Sequence, residues 1–120
     1  MPKFMLILTG APDALKNLSP EELQLRAERY QAWVEGIRSS GRYVSGEKLG
    51  NEGGRLLSKK QGKVSVVDGP FAEAKEVVGG YMLLRADSYD HALELIRNAP
   101  MLEDYRIELR QTDPMGCGGE

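Results

Sequence analysis

Residues 4–8, Phe-Met-Leu-Ile-Leu, form a segment that is apolar in both of its alternating sets of side chains. Side chains of a β-strand point alternately to opposite faces of the sheet. A strand that is apolar on both faces is typical of the centre of a sheet covered on both sides. The segment is far shorter than the ~20 apolar residues of a membrane helix. It is also too short for the apolar region of a signal peptide. It therefore predicts a buried strand at the start of a globular domain.

The segment after this strand carries the start signals of a helix. Ser19 supplies a cap, Pro20 fits the first helical position, and Glu22 completes a capping box. Gly41 is well placed to end the helix, which we expect over about residues 20–40. The apolar residues recur at helical spacing and predict one buried face: Leu23, Ala27, Tyr30, Val34 and Ile37.

A second helix is predicted from Asp87 or Ser88, as its cap, to a stop at Pro100. The residues expected on its buried face are Tyr89, Ala92, Leu93 and Ile96.

The remaining patterns indicate strands. Residues 42–49 and 77–85 both favour a strand, and the second is interrupted by Gly79-Gly80, which suggests a bulge or a close backbone approach. Residues 55–58 and 64–67 flank a lysine-rich turn and predict a hairpin. Residues 105–110 alternate apolar and charged and predict a half-exposed final strand. We expect one domain over residues 1–112 and a flexible tail over residues 113–120.

The order of these elements is β-α-β, a hairpin, then β-α-β. Two helices on one face of an antiparallel sheet predict an α+β, ferredoxin-like fold, with the two most apolar strands at its centre. Two helices cover only one face of that sheet, although the first strand is apolar on both. We therefore expect a homodimer that buries sheet against sheet.

The composition excludes several classes of function. The formal net charge is −2, whereas nucleic-acid binding calls for a clustered basic excess. The sequence predicts a cytoplasmic protein with no membrane span. His91 is the single histidine and Cys117 the single cysteine. Neither stands at the spacing of a metal site, and nothing in the sequence calls for a metal or an organic cofactor.

Residues 68–76, Asp-Gly-Pro-Phe-Ala-Glu-Ala-Lys-Glu, hold the densest group of special residues. Carboxylates beside a lysine can acquire shifted pKa values in a partly buried site, and can then act as a base or bind a small polar ligand. The residue types alone are also explained by a purely structural interpretation, with Asp68 capping a turn and the other charges solvated. Tyr30, Trp33 and Tyr81 are likewise candidates either for an aromatic pocket or for the core.

Residues 67–76, followed by Gly79-Gly80-Tyr81, resemble the signature of the YCII-related family, in particular its DGPF subgroup. The resemblance extends to the Ser19 helix start, to Gly41-Arg42, to Ser45-Gly46-Glu47 and to the final strand. It covers roughly residues 3–112. It implies a dimeric α+β barrel with a cleft near the subunit interface, lined by the signature loop. The wider superfamily includes small enzymes that act on ring compounds and lactones.

The chain departs from some members of this family on the first helix. Those members carry a histidine there, which is proposed to act with an aspartate. Tyr30 stands at that position, and Ser39 and Ser40 stand where an acid would lie at the end of the helix. The resemblance therefore does not carry the histidine–aspartate chemistry to this chain.

Three hypotheses about function follow. The first is a ligand-binding or regulatory module that holds a small polar or aromatic ligand. Its expected site residues are Tyr30, Asp68, Gly69, Pro70, Phe71, Glu73, Lys75 and Tyr81. The second is a lyase or isomerase in which Asp68 is the base and Lys75 or Tyr81 stabilises developing negative charge. The third, implied by the resemblance, is a partner of an extracytoplasmic-function sigma factor.

Overall fold

The computed structural model describes residues 1–12, 14–50, 53–68 and 76–114. The elements in chain order are β1 (Lys3–Gly10), α1 (Pro20–Ser39), β2 (Tyr43–Lys48), β3 (Arg55–Lys60), β4 (Lys63–Asp68), β5 (Val77–Arg85), α2 (Tyr89–Ile96), a short 3₁₀ helix (Pro100–Glu103) and β6 (Arg106–Gln111). The predicted order of strands and helices is confirmed. The 3₁₀ helix was not predicted, and only residues 113 and 114 of the expected tail are described.

The main sheet has the strand order β2-β5-β1-β6, and all of its neighbouring strands are antiparallel. When the β3–β4 hairpin is set aside, this is the ferredoxin-like arrangement, with β1 and β5 in the middle. The fold is therefore α+β and ferredoxin-like, as the sequence predicts. β1 and β5, the two most apolar strands, occupy the centre, where each has a neighbouring strand on both edges.

The two faces of the sheet differ in burial. On one face, Phe4 pairs with Leu84 and Leu6 pairs with Met82, and all four side chains are at most 5% exposed. Ile37 of α1, together with Ala92 and Ile96 of α2, completes this core. The opposite face carries the alternate set, which is half-buried: Met5, Ile7, Tyr81 and Leu83. We call this second surface the open face.

The buried stripe predicted for α1 is only partly correct. Ile37 is buried, and Val34 is partly buried against the core, but Leu23 is 39% exposed and Ala27 is also exposed. Helical spacing shows which side chains share a face, and it does not show whether another element covers that face. The same reason applies to α2, where Tyr89 and Leu93 are 46% and 44% exposed.

No described helix is both long enough and apolar enough to span a membrane.

The start of α1 is built as the sequence predicts. The Ser19 hydroxyl accepts a hydrogen bond from the Glu22 backbone N–H at 3.1 Å. The Ser19 backbone N–H donates to the Glu22 carboxylate at 3.0 Å. The hydrogen bond from the Ser19 backbone lowers the pKa of Glu22. This reciprocal pair satisfies two donors at the helix start that would otherwise lack partners.

Replacing the cap tests this interpretation. Ser19→Ala removes the acceptor for one backbone N–H, and we expect it to lower the free energy of unfolding by ~1 kcal/mol, the usual cost of a lost N-cap. Ser39→Ala, at the other end of α1, is the matched control and is expected to change it by less than ~0.5 kcal/mol. Urea unfolding followed by circular dichroism measures both values. Equal effects of the two substitutions would contradict the role assigned to Ser19.

Candidate functional site

A cleft of about 240 Å³ lies where α1 and the segment around the 3₁₀ helix meet the sheet. Most of its lining is apolar or aromatic, and its walls come from several elements. The side chains that define it include Tyr30, Val34, Tyr43, Met82, Met101 and Tyr105. We call this space the tyrosine cleft.

A cluster of polar side chains holds Tyr30 at one wall of the tyrosine cleft. Tyr30 and Arg26 lie one turn apart on α1, and both reach Asp104, which directly follows the 3₁₀ helix. The Tyr30 hydroxyl donates to one carboxylate oxygen of Asp104, and the Arg26 guanidinium donates to the other. The Asp104 side chain is only 7% exposed. We call these three residues the Asp104 cluster.

A second acid beside this cluster is more exposed. Glu103 pairs with Arg26 at 3.4 Å and with Arg29 at 3.0 Å. Arginines on one face of α1 therefore hold both acids of the 100–105 segment. These ion pairs hold the backbone next to Tyr105, because Tyr105 follows Asp104 directly in the chain.

The surroundings of Tyr30 keep its hydroxyl protonated. Burial raises the pKa of Tyr30 well above its usual range, and the hydrogen bond to Asp104 and the charge of that carboxylate raise it further. The pKa of Tyr105 is also raised, first by burial and then by the charge of Asp104. Because the proton of Tyr30 is held by Asp104, the hydroxyl oxygen retains its lone pairs as an acceptor.

Glycines allow the aromatic wall to approach the sheet. A Cβ atom at Gly10 would lie 2.7 Å from Cδ1 of Tyr105, and one at Gly79 would lie 3.1 Å from Cε1 of the same ring. A Cβ atom at Gly80 would lie 2.8 Å from the backbone oxygen of Glu47. The close backbone approach predicted at Gly79-Gly80 is thus present. The ring of Tyr105 therefore packs directly on the backbone of Gly10 and Gly79.

The structure brings together only part of the predicted site. Tyr30 and Tyr81 border the tyrosine cleft. Asp68 ends β4, pairs with Arg55 at 3.2 Å and has a side chain that is 79% exposed. It is not among the described residues that line the cleft. Gly69, Pro70, Phe71, Glu73 and Lys75 lie outside the described residues.

Two other candidates have local roles. Nδ1 of His91 accepts a hydrogen bond from the Asp87 backbone N–H at 2.9 Å, at the start of α2. Trp33 packs against the hydrophobic core. Among the described residues, no group of three or more His, Cys, Asp or Glu side chains is arranged to hold a metal ion.

Sequence reasoning missed Arg26 and Asp104. Arg26 and Tyr30 share one helical face because they are four residues apart, and this spacing was available as a signal. Asp104 lies 78 residues from Arg26 in the chain, and no local pattern connects the two. Only the antiparallel path of β6 beside β1 returns the 100–105 segment to α1.

Comparison with known proteins identifies the family. The model of the YCII-related domain matches residues 2–115. The chain belongs to the YCII-related domain family. The predicted resemblance to this family is thereby confirmed over residues 2–115.

A solved structure similar to this YCII-related chain is 5-chloro-2-hydroxyhydroquinone dehydrochlorinase from Burkholderia phenoliruptrix AC1100, in complex with 2,5-dihydroxybenzoquinone. The two sequences are 15% identical, and the match covers 98% of this chain and 99% of the other, with a TM-score of 0.46. No curated protein matches the chain.

The raised pKa of Tyr30 predicts a pH dependence of stability. In the unfolded chain a tyrosine ionises with a pKa of about 10, whereas the folded chain keeps Tyr30 protonated to higher pH. Between about pH 10 and the higher folded-state pKa of Tyr30, the unfolded chain binds fewer protons than the folded chain. The free energy of unfolding therefore falls as the pH rises past about 10. Tyr30→Phe removes this group and is expected to flatten the fall. Urea unfolding at a series of alkaline pH values measures it, and identical slopes for both proteins would refute the prediction.

The Asp104 cluster also predicts unequal roles for two adjacent acids. Asp104→Ala leaves the Tyr30 hydroxyl and the Arg26 guanidinium without their shared acceptor, and we expect a loss of ~1–3 kcal/mol in the free energy of unfolding. Glu103 is 47% exposed, so Glu103→Ala is the matched control, with an expected loss below ~1 kcal/mol. Thermal and urea unfolding compare the two variants. A larger loss at Glu103 would show that Asp104 is not the centre of the cluster.

Proposed function

We propose that this YCII-related protein binds a small planar aromatic molecule in the tyrosine cleft. The ligand ring contacts Tyr43 and Tyr105, and an O–H or N–H group of the ligand donates a hydrogen bond to the hydroxyl oxygen of Tyr30. The observation that carries this proposal is the hydrogen bond that commits the Tyr30 proton to Asp104 at the cleft wall. That bond leaves an acceptor in a lining that is mostly apolar or aromatic, in which Glu47 and Lys48 are the charged residues among those described.

The size of the cleft supports a ligand with a single ring. Its volume is about 240 Å³, and an engineered apolar cavity of ~150 Å³ in another protein is known to hold benzene. Pockets for larger, drug-sized ligands usually exceed ~300 Å³. The cleft is therefore matched to a monocyclic compound with small substituents.

The chemistry of the walls favours a neutral ring over a polar chain. Tyrosine rings pack against other aromatic rings in offset or edge-to-face arrangements, which contribute ~0.5–1.5 kcal/mol beyond the burial of area. A well-placed acceptor such as the Tyr30 hydroxyl oxygen then sets the orientation of a flat molecule. Phenols, and heteroaromatic rings with an N–H group, have this combination of a flat body and one donor.

The geometry favours binding over proton abstraction by Tyr30. A general base must be deprotonated near the working pH, and the Asp104 cluster holds Tyr30 in its neutral form. The contributions predicted for Asp68 and for residues 69–75 remain predictions. The sigma-factor partner likewise stays a prediction.

Phenol and anisole form a matched pair of probes for this proposal. They share the ring, but only phenol has an O–H donor. We expect phenol to bind more tightly by about 2- to 10-fold, which corresponds to one neutral hydrogen bond of ~0.5–1.5 kcal/mol. Titration of ¹⁵N-labelled protein followed by NMR measures both dissociation constants. The shifts are expected at the backbone amides of Gly46, Gly79, Gly80 and Met101, which border the cleft.

Two variants complete the experiment. Tyr30→Phe keeps the ring and removes the acceptor, so it is expected to abolish the preference for phenol while leaving anisole binding unchanged. Tyr89→Phe is the control, because the Tyr89 hydroxyl accepts from the Gln111 backbone N–H and Tyr89 is not a residue of the cleft lining. A preference for phenol that survives Tyr30→Phe, or shifts confined to residues outside the cleft, would refute the proposal.

A further inference from the structure

Among the described residues that line the tyrosine cleft, Lys48 is the one with a cationic side chain. It is the last residue of β2, and the register pairs it with Gly80, which in turn pairs with Leu8. Directly paired residues project on the same face of a sheet, and Leu8 packs against the hydrophobic core. Lys48 therefore belongs to the face of the sheet that forms the cleft.

The acid next to Lys48 in the chain belongs to the opposite face. Consecutive side chains of a strand point to opposite faces of the sheet, and Glu47 pairs with Tyr81 of the open face. The ammonium group of Lys48 donates to the backbone oxygen of Leu49 at 3.2 Å. No carboxylate pairs with this ammonium in the part of the chain that the structure describes.

A close backbone approach holds Lys48 beside the floor of the cleft. A Cβ atom at Gly80 would lie 3.3 Å from Cα of Lys48, so a side chain there would force β2 away from β5. The glycine thus lets the end of the edge strand lie tightly against the centre of the sheet. From this position, the long and flexible stem of lysine lets the ammonium group reach the mouth of the cleft.

The other charges of the cleft wall already have partners. Asp104 pairs with Arg26. Glu103 pairs with Arg29 at 3.0 Å. On the cleft face of the described residues, Lys48 is thus left with a positive charge and no acid to pair with. A positive charge at the rim of an apolar cleft raises the local concentration of anions.

We propose that the ligand of the tyrosine cleft is a hydroxylated aromatic carboxylate, and that its carboxylate pairs with Lys48. This assignment rests on the proposed function and adds an anionic group to the ligand. The hydroxyl group of the ligand donates to Tyr30, on α1, and the carboxylate meets the ammonium group on β2. Lys48 is exposed, so the carboxylate stays at the rim in contact with water. This location avoids the large cost of burying a charge.

Two pairs of probes isolate the charge of the ligand. They are 3-hydroxybenzoate with 3-hydroxybenzamide, and 4-hydroxybenzoate with 4-hydroxybenzamide. Within each pair the ring and the hydroxyl group are shared, and only the acid is anionic. For at least one isomer we expect the acid to bind more tightly than the amide by about 3- to 10-fold at low salt. Titration of ¹⁵N-labelled protein followed by NMR measures the four dissociation constants.

Salt gives a second readout of the same contact. An ion pair at an exposed rim is screened by added salt. Raising NaCl from about 20 mM to about 500 mM is therefore expected to reduce the preference for the acid to less than about 2-fold, while the affinity for the amide stays nearly constant. A preference for the acid that is independent of salt would overturn the assignment to Lys48.

Three variants locate the charge that the ligand meets. Lys48→Gln keeps most of the stem and removes the charge, so it is expected to abolish the preference for the acid. Lys48→Arg restores a cation and is expected to retain the preference. Lys60→Gln is the matched control, because it removes the same charge from β3, outside the described lining of the cleft. It is expected to change the preference by less than about 2-fold. Circular dichroism and the thermal transition verify that each variant stays folded.

The outcomes distinguish this inference from the proposed function. Equal binding of acid and amide, both weakened by Tyr30→Phe, would overturn the role of Lys48 and leave ring binding at Tyr30 intact. A preference for the acid that survives Lys48→Gln would have the same meaning. A preference that depends on Lys48 but not on Tyr30 would support the carboxylate contact and refute the acceptor role of Tyr30. Absence of shifts at the cleft amides with all four probes would overturn both proposals.

Discussion

The antiparallel pairing of β1 with β5 is the interaction on which the rest of the structure depends. It places Phe4 beside Leu84 and Leu6 beside Met82, and these side chains form the surface on which both helices pack. At the end of the same pairing, Gly80 lies opposite Leu8, and the register shifts between Leu8 and Thr9. The hydrophobic core and the floor of the tyrosine cleft are thus consecutive stretches of one strand pair.

The tyrosine cleft forms where this strand pair meets α1 and the 3₁₀ helix, two elements that lie far apart in the chain. Arg26 and Tyr30 extend from α1 to Asp104, and the ring of Tyr105 lies against Gly10 and Gly79. Asp104 serves both sides of the cleft, because its carboxylate neutralises Arg26 and orients the Tyr30 hydroxyl. A buried carboxylate with two charge-assisted or polar partners is stable only while both remain in place. The cluster therefore ties the geometry of the cleft to the position of α1.

Much of the fold could be predicted from local patterns. The capping box at Ser19 and the alternation in residues 105–110 specify elements through contacts only a few residues apart. The both-sided apolar character of residues 4–8 places β1 at the centre of the sheet. Local patterns failed where burial depended on distant elements: Leu23 and Leu93 have the correct helical spacing, yet they are exposed. The candidate site was harder still, because Asp104 is brought to Tyr30 by the tertiary path alone.

The sequence by itself determined which segments become strands and helices, which strands are central, and the family to which the signature residues belong. These properties follow from side-chain alternation, helix capping and turn chemistry, all of which act over a few residues. Only the tertiary structure decided that Tyr30 is a neutral phenol held by Asp104, that Asp68 lies on an exposed hairpin, and that glycines admit Tyr105 to the sheet. Each of these depends on atoms brought together from distant parts of the chain, and a linear pattern does not contain that proximity.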